Sequence, residues 1–381
     1  MAEPVYDLAI LGAGCAGLSL AAKLAEKASH LNVLLIDTRT RFDDDRTWCF
    51  WTSGNTPVET LIDTRWPSWR FSDANGGAIV HHRNNSQYAC VRAATFYEHA
   101  LKSIRHAGFD MRLGMEAGDI KPQNSHMQIM TDQHPVLARL IVDTRPPEGR
   151  NATLYQVFSG VEIESNTDCF EPGQVGLMED MESDFEGFRF TYTLPFTTRR
   201  ALIELTRFSP SAIHPGTLDQ GLAAILARRG LTQARILRGE HGILPMGQSI
   251  EPPPADPRIL RAGSAAGALR AATGYAFLRI QHWAEACAAS IAQGGAPLAH
   301  PSEPRLRAWM DSVFLTAIRT QPQNAPDYFL RIAKTLTPDA FARFMSDAAR
   351  MSDLLRLMAA LPPMPFLAAA ARSGLHRSAA P

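Results

Sequence analysis

Apolar positions along this chain follow three patterns, and each predicts a different kind of element. Val5-Tyr6-Asp7-Leu8-Ala9-Ile10-Leu11 is a nearly continuous apolar run that ends in Gly12-Ala13-Gly14-Cys15-Ala16-Gly17. Apolar residues then recur at helical spacing, and Val33-Leu34-Leu35-Ile36-Asp37 is a second short run. The order predicts strand, glycine turn, helix and strand. Residues 93–107 carry an amphipathic helical pattern, and Leu137–Asp143 reads as a buried strand. The texture changes after residue 155. Short alternating runs at Gln174–Met178, Phe188–Leu194 and Ala201–Thr206 are separated by Pro, Gly and acidic residues, which predicts an antiparallel sheet. A helix is expected at Leu218–Arg229, and a strand at Arg258–Gly263 runs into the small-residue turn Ser264-Ala265-Ala266-Gly267. A helix is predicted to start near Thr273 and run to about Ala292. Gly294-Gly295-Ala296-Pro297 marks a boundary, and residues 303–381 carry Phe, Leu, Ile and Met at helical spacing up to a short Ala-rich end.

Composition narrows the class. The chain has 381 residues, 45% hydrophobic and 20% charged, with a formal net charge of +0. It is long enough for two or more domains, and it projects no broad field to recruit nucleic acid. The five cysteines are scattered, without a Cys-x-x-Cys or a Cys/His cluster, which points to a reducing compartment and away from a metal site. The apolar run at the N-terminus is broken by glycines and is not read as a signal peptide. No later stretch has the length and apolarity of a membrane span.

The glycine turn carries the first chemistry. Gly12 permits a tight turn, Gly14 lets the backbone approach a pyrophosphate, and Gly17 lets the helix pack closely. The helix N-terminus offers free N–H groups to phosphates. Asp37 follows Gly17 at the spacing of an acid that accepts from a ribose 2′-OH. The late cluster Gly263, Gly267, Thr273 and Gly274 adds a second glycine-rich element close to a helix start. A nucleotide fold first, a β-domain next and a late glycine motif last is an order that resembles the hydroxylase-like flavoprotein superfamily. That resemblance implies FAD, contacted by the late element. The family's usual Gly-Asp is Gly263-Ser264 here, which removes the aspartate contact to the ribityl chain.

Further segments resemble bacterial lycopene cyclases. They are Asp45-Arg46-Thr47-Trp48-Cys49-Phe50-Trp51, Tyr155–Gly160, Tyr192-Thr193-Leu194-Pro195-Phe196 leading to Arg200–Thr206, Glu240–Met246, Gly263–Phe277 with its Ala272-Thr273-Gly274-Tyr275, and Ala360–Phe366. The match runs in order from residue 5 to about 370. A Pro-Ser pair common before Thr-Gly-Tyr is Ala271-Ala272 here. The resemblance implies an α/β protein: a Rossmann-like FAD-binding domain (1–72, 88–150 and 245–293), an inserted antiparallel β substrate domain (73–87 and 151–244) and a helical C-terminal region (294–381).

The same resemblance implies a reaction. Reduced FAD assists an acid-initiated cyclisation of the ψ end groups of lycopene, a C40 carotenoid, to β-ionone rings, by way of γ-carotene to β-carotene and without net redox change. NAD(P)H is a candidate electron source. Glu204, at the family's glutamate position, is the candidate acid, and desolvation beside a polyene would favour its neutral form. The family's second acid is Leu205 here, so tuning of Glu204 is expected to come mainly from burial. Trp48, Trp51, Tyr192 and Tyr275 are candidate aromatic faces for a cation, or plain core. Arg46 either balances the reduced flavin's charge or pairs with Asp43, Asp44 or Asp45. Arg92, just before the 93–107 helix, is a cofactor-facing arginine or an ordinary surface one. Glu240 and His241 are weaker candidates for proton handling. Thr273, Gly274 and Tyr275 join Gly12, Gly14, Gly17, Asp37, Gly263 and Gly267 as expected cofactor contacts.

An apolar substrate stored in a bilayer implies a cytoplasmic protein seated peripherally on the inner membrane, without spanning it. Leu354–Leu367 is the candidate contact, or alternatively a buried helical cover. Three rivals remain: a flavin monooxygenase, an isoprenoid reductase and a non-catalytic flavin- or carotenoid-binding protein. The monooxygenase class usually carries Asp-Gly where this chain has Asp143-Thr144.

Overall fold

The computed structural model describes residues 4–146 and 151–377. The expected domain boundary at 150/151 and the last residues of the Ala-rich end lie outside them. The N-terminal strand Val5–Leu11 pairs in parallel with Val33–Asp37 on one side and Val136–Asp143 on the other. Asp110–Leu113 extends the sheet beyond the first, and Ile259–Arg261 pairs in parallel with the end of the second. A hairpin, Ala117–Gln123 and His126–Thr131, adds antiparallel strands beside Val136–Asp143.

Register places the ligand edge. Leu11 is opposite Asp143, and Asp143 is opposite Arg261. Three strands therefore end at one level, and the chain segments that follow them converge. Ligands in open α/β sheets bind at the carboxyl ends of the strands. Helices α1 (Cys15–Lys27), α2 (Ala93–His106) and α4 (Phe277–Ala292) pack into one core over this sheet. Gln281 of α4 donates to the Ser19 hydroxyl of α1 at 2.8 Å.

A second sheet has the order Arg235–Met246, Leu154–Glu164, Arg200–Ser209, Gly187–Pro195, Gln174–Asp184, Ser68–Asp73, Ala78–His82. It is antiparallel except where Ser68–Asp73 runs parallel to Gln174–Asp184. This second sheet thus starts at residue 68, inside the segment 1–72 expected to belong to the nucleotide domain. A small sheet of Thr47–Thr52, Thr64–Trp66 and Gln87–Arg92 joins the two. Arg200–Ser209 is buried on both faces, which hides part of its alternation in the sequence. Ile203 and Leu205 pack against α3 (Asp219–Arg228), while Leu202 and Phe208 face the larger aromatic core.

The C-terminal helices α5 (Arg305–Thr320), α6 (Ala325–Thr335), α7 (Pro338–Met345), α8 (Met351–Ala360) and α9 (Pro363–Arg377) close over the second sheet. Among the described residues no single helix is long and apolar enough to cross a membrane. One buried ion pair ties this cover to the late glycine element: Arg270, 1% exposed, donates to Asp311 at 3.3 and 3.4 Å and lies 4.5 Å over the Phe344 ring. The helix expected from Thr273 starts only at Phe277. Thr273-Gly274-Tyr275 instead forms a turn, closed by Gly274 N–H donating to the Arg270 carbonyl at 2.9 Å.

The first turn separates two kinds of glycine. A Cβ at Gly17 would lie 1.9 Å from the Gly12 carbonyl oxygen, whereas one at Gly14 meets nothing within 4 Å. Gly17→Ala is therefore expected to cost about 1–3 kcal/mol by overpacking, and Gly14→Ala less than about 1 kcal/mol, the scale of a helix N-cap change. Urea denaturation of both variants checks the ranking.

Candidate active site

Register across the second sheet builds the centre of the site. Glu240 pairs with Gly160, Gly160 with Glu204, and Glu204 with Tyr192. Residues directly opposite one another across a sheet project from the same face. One row therefore carries Glu240, an empty position, Glu204 and Tyr192. The emptiness matters: a Cβ at Gly160 would lie 2.9 Å from Glu204 Cγ. Without it, the two glutamates on flanking strands reach each other across the middle strand.

This corrects the expectation that burial alone tunes Glu204. Glu204 is 7% exposed and Glu240 is 5% exposed. Burial first, then the charge of Glu240 and a hydrogen bond with it, hold the Glu204 carboxyl well above the usual carboxylate range. Thr206 Oγ1 donates to Glu204 Oε1 at 3.2 Å and opposes the shift. Leu205 bears on neither effect. Side chains alternate along a strand, and Leu205 points to the opposite face, against α3. A carboxylate at 205 would not stand beside Glu204. His241, one residue on from Glu240, is likewise turned outward and exposed.

Glu240 is anchored as strongly as Glu204 is isolated. Arg238 Nη1 donates to Glu240 Oε2 at 2.5 Å, and Thr47 Oγ1 donates to the same oxygen at 2.9 Å. Arg238 Nε donates to Glu162 Oε2 at 2.6 Å. Arg92 and Arg200 complete this cluster on Glu162 and Asp44. Arg92 is therefore not a plain surface residue, and it does not line the cavity of the site. Two acids, one of them fully buried, hold its guanidinium away from the cavity, and the ring of Phe196 lies beneath it. Its backbone begins α2.

A cavity of about 790 Å³ connects these groups to the nucleotide turn. Gly14 and Cys15 of the glycine turn, Glu240, Glu204 and Tyr192 of the row, and Phe314, Phe366 and Leu367 of the C-terminal cover all line it. Arg46, Trp48, Gly263, Thr273, Gly274 and Tyr275 all line it. Arg46 donates to the Asp45 carbonyl at 2.6 Å and stands 3.9 Å from its carboxylate, with the side chain 41% exposed. Trp48 stacks on Phe277 at 5.0 Å and 10°. The phenol of Tyr88, not singled out in the sequence, bonds Tyr192 at 2.6 Å and Tyr275 at 3.0 Å. Burial pushes all three phenols up, so they present neutral dipoles. Trp51 packs behind them at 4.4 Å from Tyr88.

The nucleotide end fits a dinucleotide. Gly14 leaves open space at the N-terminus of α1, and no side chain caps that end. Thr144 Oγ1 donates to the Leu11 and Gly12 carbonyls at 3.0 and 2.9 Å and braces the turn. Asp37 lies behind it, accepting from Ala13 N–H at 2.6 Å and Arg39 N–H at 2.8 Å. Gly263 and Gly267 take positive φ of +73° and +84°, which shapes the second turn. Gly267 itself does not line the cavity; Ser264 does.

Comparison with known proteins agrees with this architecture. A family model described as lycopene cyclase protein matches residues 7–371. The chain is 25% identical to the lycopene beta-cyclase of Pantoea ananas over 96% of this chain and 97% of that one. It is 27% identical to the lycopene beta cyclase of Synechococcus elongatus over 76% and 73%. Among solved structures, a geranylgeranyl bacteriochlorophyll reductase-like protein from Thermoplasma acidophilum superposes with a TM-score of 0.61 at 13% identity, covering 94% of this chain and 96% of that one. A point mutant of the halogenase PltM in complex with FAD gives a TM-score of 0.55 at 14% identity, covering 99% and 93%. These two likenesses establish the flavoprotein fold. The family-model match over nearly the whole length, with curated relatives of one kind, places this chain in the lycopene cyclase family.

Proposed function

We propose that this chain is a lycopene beta-cyclase that closes the ψ end groups of lycopene to β-ionone rings, through γ-carotene to β-carotene, without net redox change. The observation that carries the reading is a buried Glu204, its carboxyl held well above the usual carboxylate range, in an aromatic cavity that is also lined by the glycine turn at Gly14. Glu204 gives its proton to C2 of the terminal C1–C2 double bond. The C5–C6 double bond attacks the cation at C1, and loss of the C6 proton restores neutrality. Tyr192, Tyr275, Trp48 and Phe190 present electron-rich faces to the cavity, each worth roughly 1–2 kcal/mol to a desolvated cation. FAD would be held by the turn at Gly12–Gly17 and the uncapped N-terminus of α1, with Ser264 and Thr273–Tyr275 as further cavity-lining residues available to contact it. When bound and reduced, by NAD(P)H or another donor, it supplies negative charge near the developing cation. Arg46, which lines the cavity, would balance that charge.

The apolar substrate and the exposed cover support a peripheral seat on the cytoplasmic face of the inner membrane. Helices α8 and α9 meet at 112° and expose Met351, Leu355, Met358, Met364 and Leu367. Met358 and Leu367 also line the cavity, so the cavity wall and the exposed patch share residues.

Lycopene-accumulating bacteria expressing this chain are expected to convert lycopene to β-carotene by HPLC, and Glu204→Gln to lose about 10²–10⁴-fold in rate. Unchanged lycopene with a well-expressed, flavin-loaded wild type would defeat the reading. The same carboxyl gives a pH signature in stability. Its folded pKa lies above the ordinary 4.5, so its contribution is complete below 4.5 and is lost as pH rises through the folded value. Glu204→Gln is therefore expected to gain stability relative to wild type as pH rises above 4.5, read from denaturation midpoints at a series of pH values. For the membrane seat, the double substitution Met364→Glu/Leu367→Glu is expected to weaken vesicle flotation by about tenfold or more, from the loss of buried methylenes.

A further inference from the structure

We propose that Glu240 is a positioning carboxylate. Across the gap left by Gly160 it shares one proton with Glu204, holds that proton on Glu204 before catalysis, and draws the C6 proton back to Glu204 afterwards. The inference rests on the cyclase reading and supplies its base.

Geometry carries it. Glu204 and Glu240 occupy the two register partners of a single glycine, on the face that lines the cavity. A side chain at 160 would strike Glu204 at Cγ. The two carboxyls have unequal surroundings. Glu240 takes Arg238 at 2.5 Å and Thr47 at 2.9 Å on one oxygen, so a cation and a hydroxyl both face it. Glu204 has only the Thr206 hydroxyl at 3.2 Å among the hydrogen bonds from its own strand, and no cation pairs with it among the described residues. Two close carboxyls with unequal partners settle into one acid and one anion. The other titratable groups facing Glu204 are the Cys49 thiol on the neighbouring small sheet and Tyr192, which joins the phenols of Tyr88 and Tyr275. None of these is a cation. Arg238 makes its ion pair with Glu240, not with Glu204.

The proton count closes. Glu204 as the acid loses its proton to C2, and two electrons of the C1–C2 double bond form the new C–H bond. The pair is then two adjacent anions in a buried site, the least favourable of its states. The ring forms the C1–C6 bond and leaves the positive charge at C5. The C6–H bond breaks, its electron pair makes the C5–C6 double bond, and the proton returns to Glu204. No proton is gained or lost over the cycle, and no oxidant or reductant is consumed.

Infrared titration of the purified, flavin-loaded enzyme tests this without a turnover. The carbonyl stretch of the protonated carboxyl is assigned by its disappearance in Glu204→Gln. In wild type the band is expected to persist well above the ordinary carboxylate range, the signature of a carboxyl raised by both burial and a like charge. In Glu240→Gln, which still accepts from Arg238 and Thr47, its midpoint is expected to fall by about one pH unit or more. The alkaline limb of the cyclisation rate should fall with it. Glu240→Asp, which keeps the charge, should restore most of the shift. Gly160→Ala, which wedges the carboxyls apart, should lower the midpoint in the same direction. A wild-type midpoint in the ordinary carboxylate range, or one unmoved by both Glu240→Gln and Gly160→Ala, overturns the proposal. Should Glu240→Gln fail to fold, the wild-type midpoint and Gly160→Ala still decide it. A titration that depends on Glu240 in an enzyme that leaves lycopene unchanged would refute the cyclase reading and leave the carboxyl pair standing. A cyclase with no such dependence would do the reverse.

Discussion

Two carboxyl groups can face one another across the second sheet only because the residue between them lacks a side chain. Strand spacing sets flanking strands nearly 10 Å apart. Long side chains bridge that interval if nothing stands in the middle. Gly160 provides the opening, and the rest of the site is arranged around the result. Arg238 and Thr47 fix one carboxylate, burial isolates the other, and Tyr192 borders the pair on its far side. Arg92, Arg200 and Arg238 outnumber Glu162 and Asp44 by one positive charge, and Arg238 turns that surplus toward Glu240.

Much of the fold is legible in the sequence because its signals are local. The strand, glycine turn, helix and strand at residues 5–37 depend on φ, close approach and apolar periodicity within one segment. The structure shows Gly12 at φ +96° and Gly17 against the Gly12 carbonyl, as those roles require. The antiparallel texture of 174–206 is visible for the same reason. Ser68–Asp73 is not, because its partner lies more than a hundred residues later and pairs in parallel. Arg258–Gly263 reads correctly as a strand ending in a turn, but the helix after it begins at Phe277. Thr273 looks like a helix start in sequence. Hydrogen bonds to the Arg270 carbonyl from the N–H groups of Thr273 and Gly274 hold it in a turn instead.

The site shows the same division. A motif points to Glu204, and burial beside aromatic groups follows from it. Its carboxylate partner is not where the motif suggests, because adjacency along a strand is not adjacency in space. Period two sends Leu205 to the opposite face, while register brings Glu240 from a strand thirty-six positions away. Arg92 is misleading in a similar way. Its position before a helix is a local fact, but its partners Asp44 and Glu162 are long-range. Gly160 and Tyr88 give no signal of their own; each matters only through what it lies between.

The buried Arg270 bears on the order in which the molecule is made. It sits at the root of the Thr273–Tyr275 turn, and its carboxylate partners are Asp311 and Asp347 of the C-terminal cover. Asp311 leaves the ribosome 41 residues after Arg270. Until then the guanidinium has no counter-charge to enter the core with, and burying it alone would cost several kcal/mol. The nucleotide turn can close on itself early, from neighbours already synthesised. The wall that carries Tyr275 must wait for the tail of the chain. Assembly of the reaction chamber is thereby tied to completion of the polypeptide, and a product truncated before α5 would keep the first turn without forming the cavity beside Glu204.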